Sequence, residues 1–145
     1  MQTLADNPAL KLYALVSALL ALHLLLLALW TGTVRVRHKI WVNPEDAAFN
    51  KGKQADDDHH DVLRVKRAHL NALENAIPFF AVGLAYALTA PSQTGAQAYF
   101  FTFLAVRVLH SIFYLAGRQP FRTLTFAIGV LCVVGMAVQV IRVTV

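Results

Sequence analysis

The chain has 145 residues, 57% of them hydrophobic and only 14% charged. A soluble domain carries about 25% charged residues, so the mean hydropathy of +0.53 excludes an ordinary soluble domain. The net charge of +5 sits mainly at the ends of apolar runs, where it reads as an orientation signal and not as a nucleic-acid footprint.

A bilayer core is crossed by about 20 apolar residues in a helix. Residues 12–30 form such a run, broken only by His23, and predict a first helix over residues 9–37. The run lacks a small-residue cleavage site and most of its positive charge follows it, so it is not a secretory signal. His23 is expected to hydrogen-bond a neighbouring helix. Arg35 and Arg37 fall near the interface, where Arg37 can snorkel, and Trp30 and Trp41 flank it as belt aromatics.

Residues 43–61 are the one long polar loop. Asn43-Pro44-Glu45-Asp46 opens it with turn chemistry, and Asp56-Asp57-Asp58-His59-His60-Asp61 closes it. Adjacent residues in a loop lack metal-site spacing. No metal is therefore expected, and the acids are assigned to capping the next helix and facing its dipole. Residues 76–90 are too short to span alone. They reach spanning length if the second helix covers 61–90 and begins inside the charged stretch. A short turn then leads to a third helix over 95–116, and a second turn to a fourth over 120–143, with Pro120 in its first turn. The lone Cys132 is a small core residue and can form no disulfide within one chain.

Orientation follows the basic residues. Arg35, Arg37, Lys39, Lys51, Lys53, Arg118 and Arg122 lie on one side, Lys11 and Arg142 on the other. Both termini are thus expected away from the cytoplasm, with the charged end open to it. The expectation is an all-α, integral membrane four-helix bundle, multi-pass, forming a single domain over residues 1–145.

Charge at membrane depth is costly and marks function. Arg64, Arg67, Asn71, Glu74, Asn75 and Pro78 fall within an arc of about 100° on the second helix. Lys66 and His69 lie off that stripe. Arg107, His110, Ser111 and Tyr114 repeat the spacing on the third helix, so the two stripes can face one another. Pro78 removes the donor that would meet the Glu74 carbonyl. Stripes of this kind can simply join helices, with Arg107 and Glu74 as one candidate pair. The excess of cations over the single acid favours an anionic guest instead.

The segments Thr31-Gly32-Thr33-Val34-Arg35, Asn43-Pro44-Glu45-Asp46, Arg67-Ala68-His69-Leu70-Asn71-Ala72-Leu73-Glu74-Asn75, Ile77-Pro78-Phe79, Arg107-Val108-Leu109-His110 with Tyr114, and Pro120 with Arg122 closely resemble the MAPEG family. Those are membrane-associated proteins in eicosanoid and glutathione metabolism. Within the family the chain is most similar to the microsomal glutathione transferase and prostaglandin E synthase branch, and the 49–52 loop and the Arg-Ala-His-Leu-Asn segment lean toward the transferase. The resemblance implies a homotrimer with glutathione, the co-substrate, bound between neighbouring subunits near the cytoplasmic face. By position it implies glutathione contacts at Arg35, Lys66, Arg67, His69, Asn71, Glu74, His110, Tyr114 and Arg122. Leu70 stands where the prostaglandin synthase has an arginine, and Phe126 where it has a tyrosine. Thr123 stands where a serine hydroxyl assists the thiol.

On that resemblance, Arg35, Lys66 and Arg67 suit the carboxylates of the tripeptide, Glu74 its ammonium, and Arg122, Tyr114 and Thr123 the catalytic thiol. The second substrate is a lipophilic electrophile arriving from the bilayer. The expected activity is glutathione transfer, with peroxidase activity toward lipid hydroperoxides. The alternatives are a glutathione-dependent endoperoxide isomerase, a non-catalytic lipid-binding scaffold, and a small transporter. Retained Arg122, Glu74 and Tyr114 argue against the scaffold. Glu74 as the sole embedded acid, with basic neighbours, argues against the transporter.

Overall fold

The computed structural model describes residues 7–145. Four long helices form from the apolar runs: α1 (Pro8–His38), α3 (His60–Leu88), α4 (Gln93–Leu115) and α5 (Phe121–Thr144). Each boundary has a local cause. Asn7 caps α1 by accepting from Leu10 N–H at 3.0 Å, and Pro8 follows where its missing donor costs nothing. The helix ends at Lys39, which is left-handed at φ 52°. Ser92 caps α4 through Gly95 N–H at 3.2 Å. Pro120 stands just before α5, at its cap position.

The loop between α1 and α3 is more ordered than its polarity suggests. It contains a short helix, α2 (Pro44–Phe49), and two two-residue strands, β1 (Ile40–Trp41) and β2 (Lys53–Gln54). The strands pair in parallel, Ile40 against Lys53 and Trp41 against Gln54. Lys53 N–H donates to the Lys39 carbonyl at 2.8 Å, and Ala55 N–H to the Trp41 carbonyl at 2.9 Å. The pairing folds the loop back, so the start of α3 returns beside the end of α1. Trp41 is buried beneath this loop and is not an interface aromatic. A Cβ at Gly52 would stand 2.6 Å from the Trp41 indole, so this close approach requires glycine. Trp30, by contrast, is exposed.

The expected acidic cap also differs. His59 caps α3 by accepting from Asp61 N–H. Asp61 does lie in the first turn, where its charge suits the helix dipole, but Asp58 is turned away onto Arg35 and Lys66.

Helices α3 and α4 each pack against the other long helices, whereas α1 and α5 do not touch among the described residues. The core lies toward the Pro91 end, around Phe79, Phe100, Phe103, Tyr86 and Met136. Phe79 and Phe103 stack with ring centroids 4.4 Å apart. The outer faces stay apolar, with Leu25, Leu26 and Leu29 of α1 and Leu131 and Val134 of α5 exposed. Three helices, α1, α4 and α5, are long and apolar enough to cross a membrane. Helix α3, at 29 residues, has the length, but its first half carries the charged residues.

Candidate functional site

The basic residues gather where the end of α1, the start of α3, the end of α4 and the start of α5 meet. Asp58 is the anchor of one group. Arg35 grips it by two hydrogen bonds, Nε to Oδ1 at 3.1 Å and Nη2 to Oδ2 at 2.9 Å, and Lys66 Nζ adds a third at 3.1 Å. The Asp58 side chain is 3% exposed, against 27% for Arg35 and 52% for Lys66. Burial alone would raise its pKa. The hydrogen bonds and charges of Arg35 and Lys66 outweigh burial and hold the carboxyl below the ordinary aspartate value.

In front of this anchor lies a cavity of about 580 Å³ between α1 and α3. Arg35, Lys66, Arg67 and His69 supply its polar wall, and Ala28, Leu63, Leu70 and Leu73 its apolar one. A second cavity, of about 310 Å³, is lined by His60, Arg64, Arg67, Tyr114, Gly117 and Arg122. Arg67 lines both. Nothing but the helix periodicity puts it there: it lies between the α1-facing and α4-facing sides of α3.

Arg122 is held in place from two directions. Its guanidinium carbon lies 4.8 Å from the centre of the Tyr114 ring, a cation–π distance. With the Gln119 amide oxygen turned toward it, that oxygen accepts from Arg122 Nη2 at 2.6 Å and Nε at 3.2 Å, while the amide nitrogen donates to Thr123 Oγ1 at 3.0 Å. Gln119 was not singled out from sequence. Only its place between Arg118 and Pro120 could have hinted at it.

The two polar stripes do meet, but through a different pair. Arg107 Nη2 donates to Asn71 Oδ1 at 2.8 Å, not to Glu74. Three residues beyond Asn71 the helix has turned by about 60° the other way, and Glu74 comes out exposed and in no ion pair among the described residues. Asn75 bonds back to the Asn71 carbonyl at 2.8 Å. His110 is buried, its ring 5.8 Å from that of Tyr114, and its Nδ1 has no partner among the described residues. His23 bonds Ser111 Oγ at 2.9 Å, joining α1 to α4 as expected. Thr123 is exposed. Thus Arg35, Lys66, Arg67 and His69 share one cavity, and Arg67, Tyr114 and Arg122 the other. Asn71, Glu74, His110 and Thr123 line neither.

A wall of cations facing apolar side chains can bind a molecule with carboxylates at one end and an uncharged partner beside it. A sequence model of the MAPEG family matches residues 13–142. Human prostaglandin E synthase is 38% identical over 137 residues, covering 94% of this chain and 90% of that protein. Rat microsomal glutathione S-transferase 1 is 35% identical over 147 residues, covering 98% and 95%. Its human counterpart is 36% identical over 144 residues, covering 94% and 92%.

Proposed function

This chain belongs to the MAPEG family, and from that premise we propose that it is a membrane-bound glutathione transferase acting on lipophilic electrophiles. The supporting observation is the meeting of two cavities at Arg67, one with a carboxylate-binding wall, the other with Arg122 clamped on Tyr114. Glutathione carries two carboxylates, an ammonium and a thiol. In this proposal Arg35, Lys66 and Arg67 take the carboxylates, with His69 beside them. Asn71 and His110 act from behind the cavity walls, Asn71 by holding Arg107, and Glu74, exposed on α3, takes the ammonium.

The thiolate is the nucleophile, and a free thiol has a pKa of about 8.5. Lowering it by about two units requires roughly 2.7 kcal/mol. One cation at about 4 Å supplies on the order of 4 kcal/mol at an effective dielectric of 20. Arg122 suffices if the sulfur docks beside it, and the start of α5 adds the favourable end of its dipole. Tyr114 holds Arg122 and can donate to the sulfur. Thr123, bonded to Gln119, supports that arrangement from outside. The electrophile enters from the apolar side, past Leu70 and Leu73, and the same thiolate can reduce lipid hydroperoxides.

Glu74, Leu70 and Ile77 are exposed on α3. That exposure supports a homotrimer in which a neighbouring subunit closes the site. In the bilayer α3 serves as the fourth span of a four-helix bundle, its charged half shielded by the neighbour, and the excess of basic residues at this end supports a cytoplasmic opening.

A second activity, glutathione-dependent isomerisation of a prostaglandin endoperoxide, is favoured by the likeness to prostaglandin E synthase. Leu70 and Phe126, in place of that enzyme's arginine and tyrosine, favour transfer. The test is turnover of 1-chloro-2,4-dinitrobenzene set against a prostaglandin endoperoxide, with the bound thiolate followed by its ultraviolet absorbance. Arg122→Ala should cut the thiolate fraction at neutral pH by about 25-fold while leaving much of the glutathione affinity. Unchanged turnover in that variant would remove Arg122 from the chemistry.

A further inference from the structure

One cluster outside the residues assigned to glutathione is assembled from two elements. The last residue of α1, His38, meets the first turn of α3, where His59, His60 and Asp61 stand together. His38 Nε2 lies 3.1 Å from Asp61 Oδ2, and His59 Nδ1 lies 3.7 Å from the same oxygen. His60 Nε2 lies 3.3 Å from Oδ1. The His38 and His59 rings stack with centroids 3.6 Å apart. One ligand atom from each of His38, His59 and Asp61 falls within 4.8 Å of the other two, and all three residues are half-buried.

We propose that His38, His59 and Asp61 form a binding site for a divalent transition-metal ion of the zinc class, which staples the end of α1 to the start of α3. Two imidazoles and one carboxylate are a common zinc set that leaves a fourth position to water. Hard ions such as magnesium and calcium prefer oxygen ligands throughout. Ligands bound at about 2.0–2.1 Å to a tetrahedral ion stand about 3.3 Å from one another, and the two observed separations from Asp61 Oδ2 bracket that value. The stacked rings aim their lone pairs along nearly parallel planes. The His59 ring therefore turns to complete the site, about a terminal torsion that is broad, and in doing so its Nδ1 gives up the long 3.3 Å cap to Asp61 N–H, which the metal bond replaces. His60, with a side chain 74% exposed, sits on the other carboxylate oxygen and orients Asp61. Arg37 and Arg64 line the adjoining cavity with His38 and Asp61, and their charge keeps the affinity moderate.

The inference is independent of glutathione, since none of the three ligands is among the residues assigned to it. The test is titration of untagged, full-length protein in detergent, without glutathione, first with Co2+ and then with Zn2+. The expected result is one Co2+ per chain with the visible spectrum of a tetrahedral site, displaced by Zn2+. His38→Ala, His59→Ala and Asp61→Asn should each weaken binding about tenfold or more, with metal-free melting temperatures near the parent's for His38→Ala and Asp61→Asn and a few degrees lower for His59→Ala, which also loses the α3 cap. A parent protein that gives no tetrahedral cobalt spectrum overturns the proposal whatever the variants do. So do well-folded variants that bind as the parent does.

Discussion

The two ends of this molecule are built on opposite rules. At the Pro91 end, Phe79, Phe100, Phe103 and Tyr86 fill the space between helices, and Asn7 Nδ2 closes α1 onto the Ala87 carbonyl at 3.0 Å. At the other end the helices line the two cavities that share Arg67, and cations outnumber the acids that could pair with them. Arg107 marks the border. It is 1% exposed, bonded to Asn71 on one side, with Nε and Nη1 unpartnered among the described residues. A Cβ at Gly129 would lie 3.4 Å from its side chain, so α5 just clears it. The lesson is a division of labour: packing at one end holds the helices, so the other end can keep charges and open space that contribute little to stability.

The strongest way to break that contrast is Phe79→Ala. Phe79 is fully buried and lies against four other aromatic rings, of Tyr13, Phe80, Phe100 and Phe103. Its truncation should cost about 3–5 kcal/mol, read as a large fall in the melting temperature in detergent. Glutathione affinity of the folded fraction should stay near the parent's. A variant that melts normally would show that the aromatic cluster is not what holds the helices together.

At the charged end the matching test is Asp58→Asn. It leaves Arg35 and Lys66 without their carboxylate. Both cations are partly in solvent, so the cost should be only about 1–2 kcal/mol. The consequence should be local: faster hydrogen exchange over residues 39–58, with α4 and α5 unchanged. A cooperative loss of the whole fold would mean that the two ends are not separable.

How much of this was visible in the sequence follows the same division. The long helices could be read because apolar runs of spanning length have few alternatives, and even α3, half charged, was found by extending its apolar part backwards. The polar loop could not. Its strands are two residues long, its helix six, and pairing Ile40 with Lys53 depends on tertiary closure, not on local preference. Asp58 looked like one acid among four. What sets it apart is Arg35, brought near only when β1 pairs with β2, and the same closure brings His38 to His59. Of the stripe, Asn71 faces α4, where it accepts from Arg107, and Arg67 lines both cavities. The periodicity misjudged the partner of Arg107, because a choice between Asn71 and Glu74 turns on about 60° of rotation, finer than a helical wheel resolves.

The smallest effect sharpens the comparison most. Tyr13 sits in the packed end, stacked on Phe79 with centroids 6.1 Å apart, yet its hydroxyl donates to the Phe80 carbonyl at 2.8 Å. Tyr13→Phe keeps the ring and removes only that bond. Hydrogen bonds between helices in apolar surroundings contribute about 0.6 kcal/mol, so the melting temperature should fall by only about 1–2 °C. Tyr13→Ala, which also removes the ring, should fall several times further. If the two variants were equally damaging, the hydroxyl and not the packing would be joining α1 to α3, and the packed end would depend on polar contacts as the charged end does.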